Sequence, residues 1–479
     1  MNTCLFYDIE TTGLNRAFDQ VLSFSAIRTD LALTELERHT MNIRLRADII
    51  PSPQAMIVNR IDLNAFSSAH RELVAITEIH RLFNRPGTIS LGYNTLGFDD
   101  EFLRFSFYRN LLPPYTHQFK NDCRRMDIYP VTLFYYLFKP EALTWPEKNG
   151  KPSLKLDNLS RANHLAEGPA HDAMVDTAAT LALARRLARH EEIWQYVSGY
   201  FDKTVDQERI DALPIAFQSA AGPHRLGLMV DGGIGTDASF LAPVISLGQS
   251  TPYRNQTLWL RLDLPELTDT TTDTLAENTW VFRKKLGEPG FILPPLPRYW
   301  QRVDPERQAV IEKNQRWLQT GDSLLLDIVR YHREFRYPEV PDVDPDAALY
   351  ETGFMSKPDT EICRQFHAAD VGKKEALAGQ LTAPVYRQLA RRLLARNFPE
   401  DVSGRLTRRF NQYLKQVHPA TADAALVDYR GQRRRTPMDA LKGIAALREQ
   451  ADAGDIRLDA AQKDILAGLE TYLKDQFKL

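Results

Sequence analysis

Asp8 and Glu10 stand two residues apart in the run Phe6-Tyr7-Asp8-Ile9-Glu10-Thr11-Thr12-Gly13-Leu14. The residues leading into them are apolar, so the segment reads as a strand, and positions i and i+2 of a strand face the same side. The chain must therefore place two carboxylates side by side at a strand end. Like charges that close are best tolerated with a cation between them. An all-oxygen donor set suits Mg²⁺ or Mn²⁺ rather than zinc or copper. A single D-x-E also occurs on ordinary surface strands, so the other groups of such a site have to come from elsewhere in the chain.

With 479 residues the chain exceeds one ordinary core, and roughly two to four domains are expected. A net charge of −2 neither announces a nucleic-acid binder nor excludes one, because an acidic site can offset a basic groove. The three cysteines, Cys4, Cys123 and Cys363, fit neither a disulfide framework nor a cysteine-type zinc site. Buried thiols in a reducing cytoplasm are expected. The sequence shows no basic leader with an apolar signal and no spanning run of about 20 apolar residues, so a cytoplasmic protein without membrane contact is expected.

Residues 1–190 alternate strand-like and helix-like stretches. Val21 to Arg28 and Thr40 to Arg46 read as strands, Arg71 to Phe83 as a helix, Thr88 to Tyr93 as a buried strand and Asp99 to Tyr108 as the helix after it. A helix from Ala173 to Arg189 closes this α/β unit, whose sheet is expected to be mixed. Residues 193–346 are β-rich. Leu226 to Val230 and Thr257 to Leu264 read as strands, glycine-rich turns separate them, and a helix runs from Asp304 to Thr320. A Pro/Asp-rich joint, Tyr337 to Pro345, leads to an all-α segment, 349–479. Its helices are expected over Pro358 to Phe366, Pro384 to Asn397, Asp401 to Val417, Pro437 to Ala451 and Ala460 to Gln476.

Two further segments bring acidic groups. In Gly92-Tyr93-Asn94-Thr95-Leu96-Gly97-Phe98-Asp99-Asp100-Glu101 a strand ends and a helix begins, so Asp99 projects from a first helical turn toward the strand ends. The competing role is a helix cap, common for Asp. In Gly168-Pro169-Ala170-His171-Asp172-Ala173-Met174-Val175-Asp176, Asp176 lies a turn into an alanine-rich helix and His171 precedes it by five residues.

Asp8, Glu10, Asp99, His171 and Asp176, in that order, resemble the DEDD exonuclease superfamily, in the subgroup whose third motif is H-x-x-x-x-D. The run Gly92 to Glu101, Phe107-Tyr108-Arg109-Asn110, Pro114-Tyr115, Trp145-Pro146-Glu147, Ala170 to Met174, Leu349-Tyr350 with Gly353-Phe354, and Ala395 to Pro399 resemble bacterial exonuclease I. The likeness is clear over the first 190 residues and looser beyond. It implies a ribonuclease H-like 3′→5′ exonuclease domain, an SH3-like β-rich domain and an all-α C-terminal domain. These correspond to the segments 1–190, 193–346 and 349–479. It implies DNA repair and recombination as the setting, single-stranded DNA as substrate and the single-stranded DNA-binding protein as a partner. With no heptad seam in the sequence, a monomer is expected.

The chemistry implied is phosphodiester hydrolysis at two metal ions, Mg²⁺ with Mn²⁺ as an alternative, about 3.5–4 Å apart. Asp8 would bridge the ions, Glu10 and Asp176 would hold one and Asp99 would serve the leaving-group side. Four such carboxylates without cations should raise one another's pKa values. His171 would act as general base, its ordinary pKa of about 6.5 suiting neutral pH.

For the substrate, Glu10, Thr11 and Thr12 are expected to hold the terminal 3′-OH and sugar, and Leu14 either wedges against the last base or packs in the core. Arg104, Tyr108, Arg109, Tyr115, Phe119, Lys120, Arg124 and Arg125 interleave aromatics with cations, as single-strand binding requires. Arg104, Tyr115 and Phe119 are the expected contacts. Lys155 stands where the resembling family often carries a basic residue. Basic runs at Arg391-Arg392 with Arg396, at Arg405-Arg408-Arg409 and from Arg430 to Arg435 are either solvated faces or further strand contacts. Two other readings compete with the DNA nuclease: an RNA 3′-trimming enzyme on the same core, and a catalytically silent nucleic-acid-binding scaffold. The first is usually a single short domain, whereas about 290 residues follow this core. Against the second stand five intact site residues.

Overall fold

The computed structural model describes residues 2–167, 172–419 and 424–479. By packing, the chain divides into two compact units, each assembled from separated stretches: 1–125 with 167–178 and 339–479, and 126–166 with 179–338.

The first unit is built on β1 (Thr3–Thr11), β2 (Val21–Thr29), β3 (Glu35–Asn42), β4 (Thr88–Gly92) and β5 (Arg124–Asp127), in the sheet order β3-β2-β1-β4-β5. β1 pairs antiparallel with β2 and parallel with β4, so the sheet is mixed. This is the ribonuclease H-like arrangement. Leu5, Tyr7 and Ile9 alternate onto one face and share a core with Phe24, Ile76, Ile79 and Phe83, and with Phe102 and Phe107 of the helix Asp99–Arg109. The period of two then sends Phe6, Asp8 and Glu10 to the opposite face. β3 was expected over Thr40 to Arg46 but runs from Glu35 to Asn42. It is an edge strand with mostly exposed, charged side chains, and apolar patterning does not mark such a strand.

The all-α segment does not stand apart from this sheet. Ala17, Phe18, Leu73, Phe105 and Tyr108 share one core with Phe366, Leu389, Leu393 and Leu394. Leu22, Ile50 and Ile57 share another with Tyr413, Ile444, Leu466 and Leu469. The helices there run over Lys357–Ala368, Val371–Gln380, Pro384–Asn397, Gly404–Val417, Pro437–Asp452 and Ala460–Phe477. Val371–Gln380 was not foreseen, because its sequence, VGKKEALAGQ, carries two glycines and few apolar positions.

The second unit carries a six-stranded antiparallel sheet. Val281–Lys285, Gln256–Arg261, Leu241–Gln249, Gly222–Val230 and Phe291–Leu293 lie in that spatial order, and Ile215–Ser219 pairs with Gly222–Val230. Met229, Val244, Trp259 and Ile292 form its core. Helices Pro305–Thr320 and Asp322–Glu334 follow the sheet.

All three cysteines are free and buried. Burial pushes the Cys4 thiol up to about 11 and that of Cys363 to about 12. Among the described residues no helix is long and apolar enough to cross a membrane.

Candidate active site: an acidic cluster at the end of β1

β1 carries Asp8 opposite Ser25 and Glu10 opposite Ser23 of β2, and its register shifts between Glu10 and Thr11 where the strand ends. On the other side, Phe6 pairs with Leu91 of β4. Gly92 follows at a very close approach. A Cβ there would lie 2.5 Å from the Tyr7 carbonyl oxygen and 2.3 Å from Thr95 Cγ2. Only glycine lets β4 end this close to the backbone that carries Asp8. The chain turns through Asn94, in the left-handed region at φ 62°, and enters the helix Asp99–Arg109. Phe98 occupies that helix's cap position and no side chain caps it, so Asp99 is not spent as a cap. The helix Ala173–Ala188 supplies Asp176 in its first turn. Asp172 caps that helix, its Oδ1 accepting from the Met174 and Val175 amides at 2.9 and 3.2 Å.

These elements bring carboxylate oxygens of Asp8, Glu10 and Asp176 within 4.8 Å of one another. The Asp8 carboxyl is held well above the usual carboxylate range, first by burial, then by the negative charges of Asp99, Glu10, Asp176 and Asp172. Repulsion of this kind is what a divalent cation relieves. The donor set is entirely carboxylate oxygen, which fits a hard cation. His171 lies outside the described residues.

The three consecutive acids that open the Asp99 helix do three different things. Asp99, buried, adds its charge to the cluster. Asp100 is fully buried, with Arg125 Nη1 at 2.7 Å, Arg104 Nε at 3.0 Å and His117 Nε2 at 2.8 Å. Although burial opposes its ionisation, Arg125 and Arg104, with the His117 hydrogen bond, hold its carboxyl far below the usual range. Glu101 accepts from Tyr350 and Tyr429 hydroxyls at 3.0 and 2.8 Å and pairs with Arg16 Nε at 2.9 Å. Sequence reasoning found the trio but not this division of labour, since the partners of Glu101 lie about 250 and 330 positions away.

The residues assigned to substrate fall in different places. Leu14 is 73% exposed beside the cluster's loop, which removes the core-packing alternative. Phe119 is 64% exposed, and Tyr115 meets the edge of Phe354, itself 92% exposed. With Tyr108, Leu111 and Tyr386 they line an apolar groove of about 600 Å³. Arg104 is anchored on Asp100, and Arg109 is buried with its guanidinium donating to the Ala17 carbonyl at 2.6 Å. The Thr11 hydroxyl donates to the Gly13 carbonyl at 2.7 Å. Thr12 requires a correction. Its hydroxyl donates to Asp19 Oδ1 and accepts from the Gln20 amide, its N–H bonds the Gln20 carbonyl and its carbonyl accepts from Ser52. A fully buried residue with every polar group engaged shapes the loop and does not meet a ligand. Lys155 is exposed just before the helix Leu156–Asn163 of the second unit.

The basic runs also divide. Arg392, Arg396 and Arg434 are enclosed with Asp48, Asp344 and Asp346. Arg435 pairs with Asp19 at 3.2 Å. These arginines bind the chain to itself. Arg391, Arg405, Arg408 and Arg409 remain partly or fully exposed.

A buried strand ending in clustered carboxylates, on a mixed sheet with a helix supplying the last acid, is the core of an exonuclease. The exonuclease family model matches residues 5–184 and the exonuclease I C-terminal domain model matches residues 343–476. The chain thus carries an exonuclease domain and an exonuclease I C-terminal domain, and it is a nuclease, a hydrolase. It is similar to exodeoxyribonuclease I of Escherichia coli, 28% identical over 438 residues that cover 87% of this chain and 90% of that protein. The crystal structure of Escherichia coli exonuclease I with a dA16 oligonucleotide superposes with a TM-score of 0.84 at 24% identity, covering 99% of this chain and 100% of that one. A crystal structure of SSB/exonuclease I with an inhibitor gives 0.81 at 24% identity, covering 99% and 100%. The family implies a divalent metal, and the carboxylate cluster fits one.

Proposed function

We propose that the chain is a 3′→5′ exodeoxyribonuclease that releases nucleoside 5′-monophosphates from single-stranded DNA. The observation that carries this reading is the meeting of Asp8, Glu10 and Asp176 oxygens within 4.8 Å, with Asp99 close enough to raise the Asp8 pKa. Asp8, Glu10, Asp99 and Asp176 would hold two Mg²⁺ ions, which supply charge neutralisation at the scissile phosphate.

The protein's own groups do the rest. His171 takes a proton from the attacking water, a role that typically contributes about 10²–10⁴-fold. Leu14 wedges against the terminal base, and Thr11 and Glu10 border the sugar. Tyr115 and Phe119, on the rim of the apolar groove, stack on bases further along, at about 1–3 kcal/mol per base. Lys155 contributes a phosphate contact. The three domains 1–190, 193–346 and 349–479, a monomeric state, the single-stranded DNA-binding protein as partner and a cytoplasmic role in DNA repair and recombination belong to the same proposal. Support for the partner comes from the family resemblance and from the SSB/exonuclease I structure named above.

The test is digestion of matched DNA and RNA strands, labelled at either end, with Mg²⁺ or EDTA. We expect DNA to shorten from its 3′ end only when Mg²⁺ is present, and His171→Ala to cut turnover by about 10²–10⁴-fold while DNA binding persists. Preferential loss of the RNA strand would make this an RNA-trimming enzyme. Binding without cleavage in Mg²⁺ or Mn²⁺ would make it a scaffold.

A further inference from the structure

The helices Pro384–Asn397 and Gly404–Val417 carry four basic residues each and no Asp or Glu. On the first, Arg392 and Arg396, four apart, turn inward into ion pairs with Asp344 and Asp346. Arg387 and Arg391, also four apart, lie on an adjoining face. On the second, Arg405, Arg409, Gln412 and Gln416 recur at spacings of four, three and four, a single stripe about 16 Å long.

The two helices pack together, and a groove of about 280 Å³ is lined by Gln388, Arg391, Leu406, Arg409, Gln412 and Gln416. Its floor is Arg392 lying 3.8 Å over the Tyr413 ring, and the Tyr413 hydroxyl is occupied by Arg434 and Asp48. The lining thus offers guanidinium and amide donors over an aromatic base.

Several exposed arginines elsewhere in this unit find a carboxylate: Arg38 with Glu35, Arg364 with Glu361, Arg448 with Glu470. Among the described residues, Arg387, Arg391, Arg405, Arg408 and Arg409 form no ion pair. Their charges act on one another. The Arg391 guanidinium is depressed, first by burial and then by Arg409, Arg387 and Arg405, with Glu375 pulling the other way. Glu375 is itself bonded to Ser403. Concentrated, unneutralised arginine in a chain of net charge −2 is a local device for binding polyanions, not a consequence of overall basicity.

We propose that this groove binds the phosphodiester backbone of single-stranded DNA, as a second holding point on a strand whose 3′ end occupies the acidic site. The proposal rests on the nuclease reading above. Arginine and amide donors suit phosphate oxygens, and they carry no base-edge selectivity when they track a backbone.

The test compares wild type with R391Q/R405Q/R409Q, binding fluorescein-labelled oligothymidylates of about 10 and about 40 nucleotides in EDTA over a salt series. We expect wild type to hold the long strand at least about tenfold tighter than the short one. The triple variant should bring that ratio below about twofold and flatten the log–log salt slope by about 2, at about 0.7 per phosphate contact. Single variants Arg391→Gln and Arg409→Gln, each expected to remove about 0.7 from the slope, keep the test decisive if the triple variant misfolds. Unchanged long-strand affinity and slope would overturn the proposal. So would intact DNA binding together with loss of an acidic peptide that wild type binds. Failure of wild type to degrade DNA in Mg²⁺ would instead strike the parent reading, and the binding comparison in EDTA would stand apart from it.

Discussion

Two of the buried charge clusters in the first unit are built on opposite plans. Around Asp8 the charges that act on it most strongly are those of Asp99, Glu10, Asp176 and Asp172, which share one sign. Around Asp48 they are Arg396 at 2.7 Å, Arg46 at 3.1 Å and Arg434 at 3.5 Å. Asp346 joins the same network through Arg396 and Arg392, and Glu72 joins it through Arg46 at 2.8 Å. Burial opposes ionisation of Asp8 and Asp48 alike, yet Asp8 is pushed well up and both Asp48 and Asp346 are held far down. The sign follows the company each carboxylate keeps, not its depth. The paired network can only hold elements together. The like-charged cluster stores repulsion that a cation relieves, which is what a metal site needs.

The largest expected effect tests the like-charged cluster. Asp8→Asn should reduce Mg²⁺-dependent hydrolysis to background while raising the thermal midpoint of the metal-free protein, because one of several repelling charges is gone. Mg²⁺ should then stabilise the variant less than it stabilises wild type. Thermal unfolding in EDTA and in Mg²⁺ reads both effects, and a variant less stable than wild type in EDTA would show that the cluster is not under repulsion.

The next effect tests the paired network. Arg396→Met leaves Asp48 and Asp346 buried without their main partner and should cost about 3–5 kcal/mol, read as a lower urea midpoint. The two clusters should also separate along the pH axis. Asp48 and Asp346, with depressed folded values, contribute stability above their unfolded pKa of about 3.9, and that contribution is lost as pH falls below it. Asp8, with a raised folded value, contributes stability that is full below about 3.9 and is lost as pH rises through its folded pKa. In EDTA, stability should therefore rise as pH falls from neutrality toward about 4 and drop below it. Arg396→Met should remove most of the acid-side drop and leave the neutral side unchanged. A monotonic profile in wild type would break the comparison.

The like-charged cluster was readable from the sequence, and the network of opposite charges was not. Asp8 and Glu10 announce themselves by a spacing of two on one strand, and Asp99 and Asp176 by positions in first helical turns. Each signal is local. The network joins Asp48 to Arg396 across 348 positions and to Arg434 across 386, and no local pattern couples such residues. The same limit blurred the basic runs. Arg391, Arg392 and Arg396 read as one patch, although the helical period places Arg392 and Arg396 inward and Arg391 on the groove. Thr12 looked like a ligand group because Thr-Thr-Gly after a strand suggests a binding loop. Its partners, Asp19, Gln20 and Ser52, give it a different task. The edge strand β3 escaped because its exposed charges carry no periodic apolar signal.

The smallest expected effect sets the baseline for both clusters. Glu470 in the helix Ala460–Phe477 lies 2.7 Å from Arg448 of the helix Pro437–Asp452 and 2.6 Å from Lys474. The geometry matches that of Asp48, but Arg448 and Lys474 are each about half exposed. Water already solvates these charges, so the pairing replaces hydration instead of compensating for its loss. Arg448→Ala should therefore cost less than about 1 kcal/mol, and about 0.5 M salt should weaken even that. The network around Asp48 should respond little to the same salt, since its charges are shielded from ions. Equal salt sensitivity of Arg396→Met and Arg448→Ala in urea unfolding would mean that burial does not set the strength of these pairs.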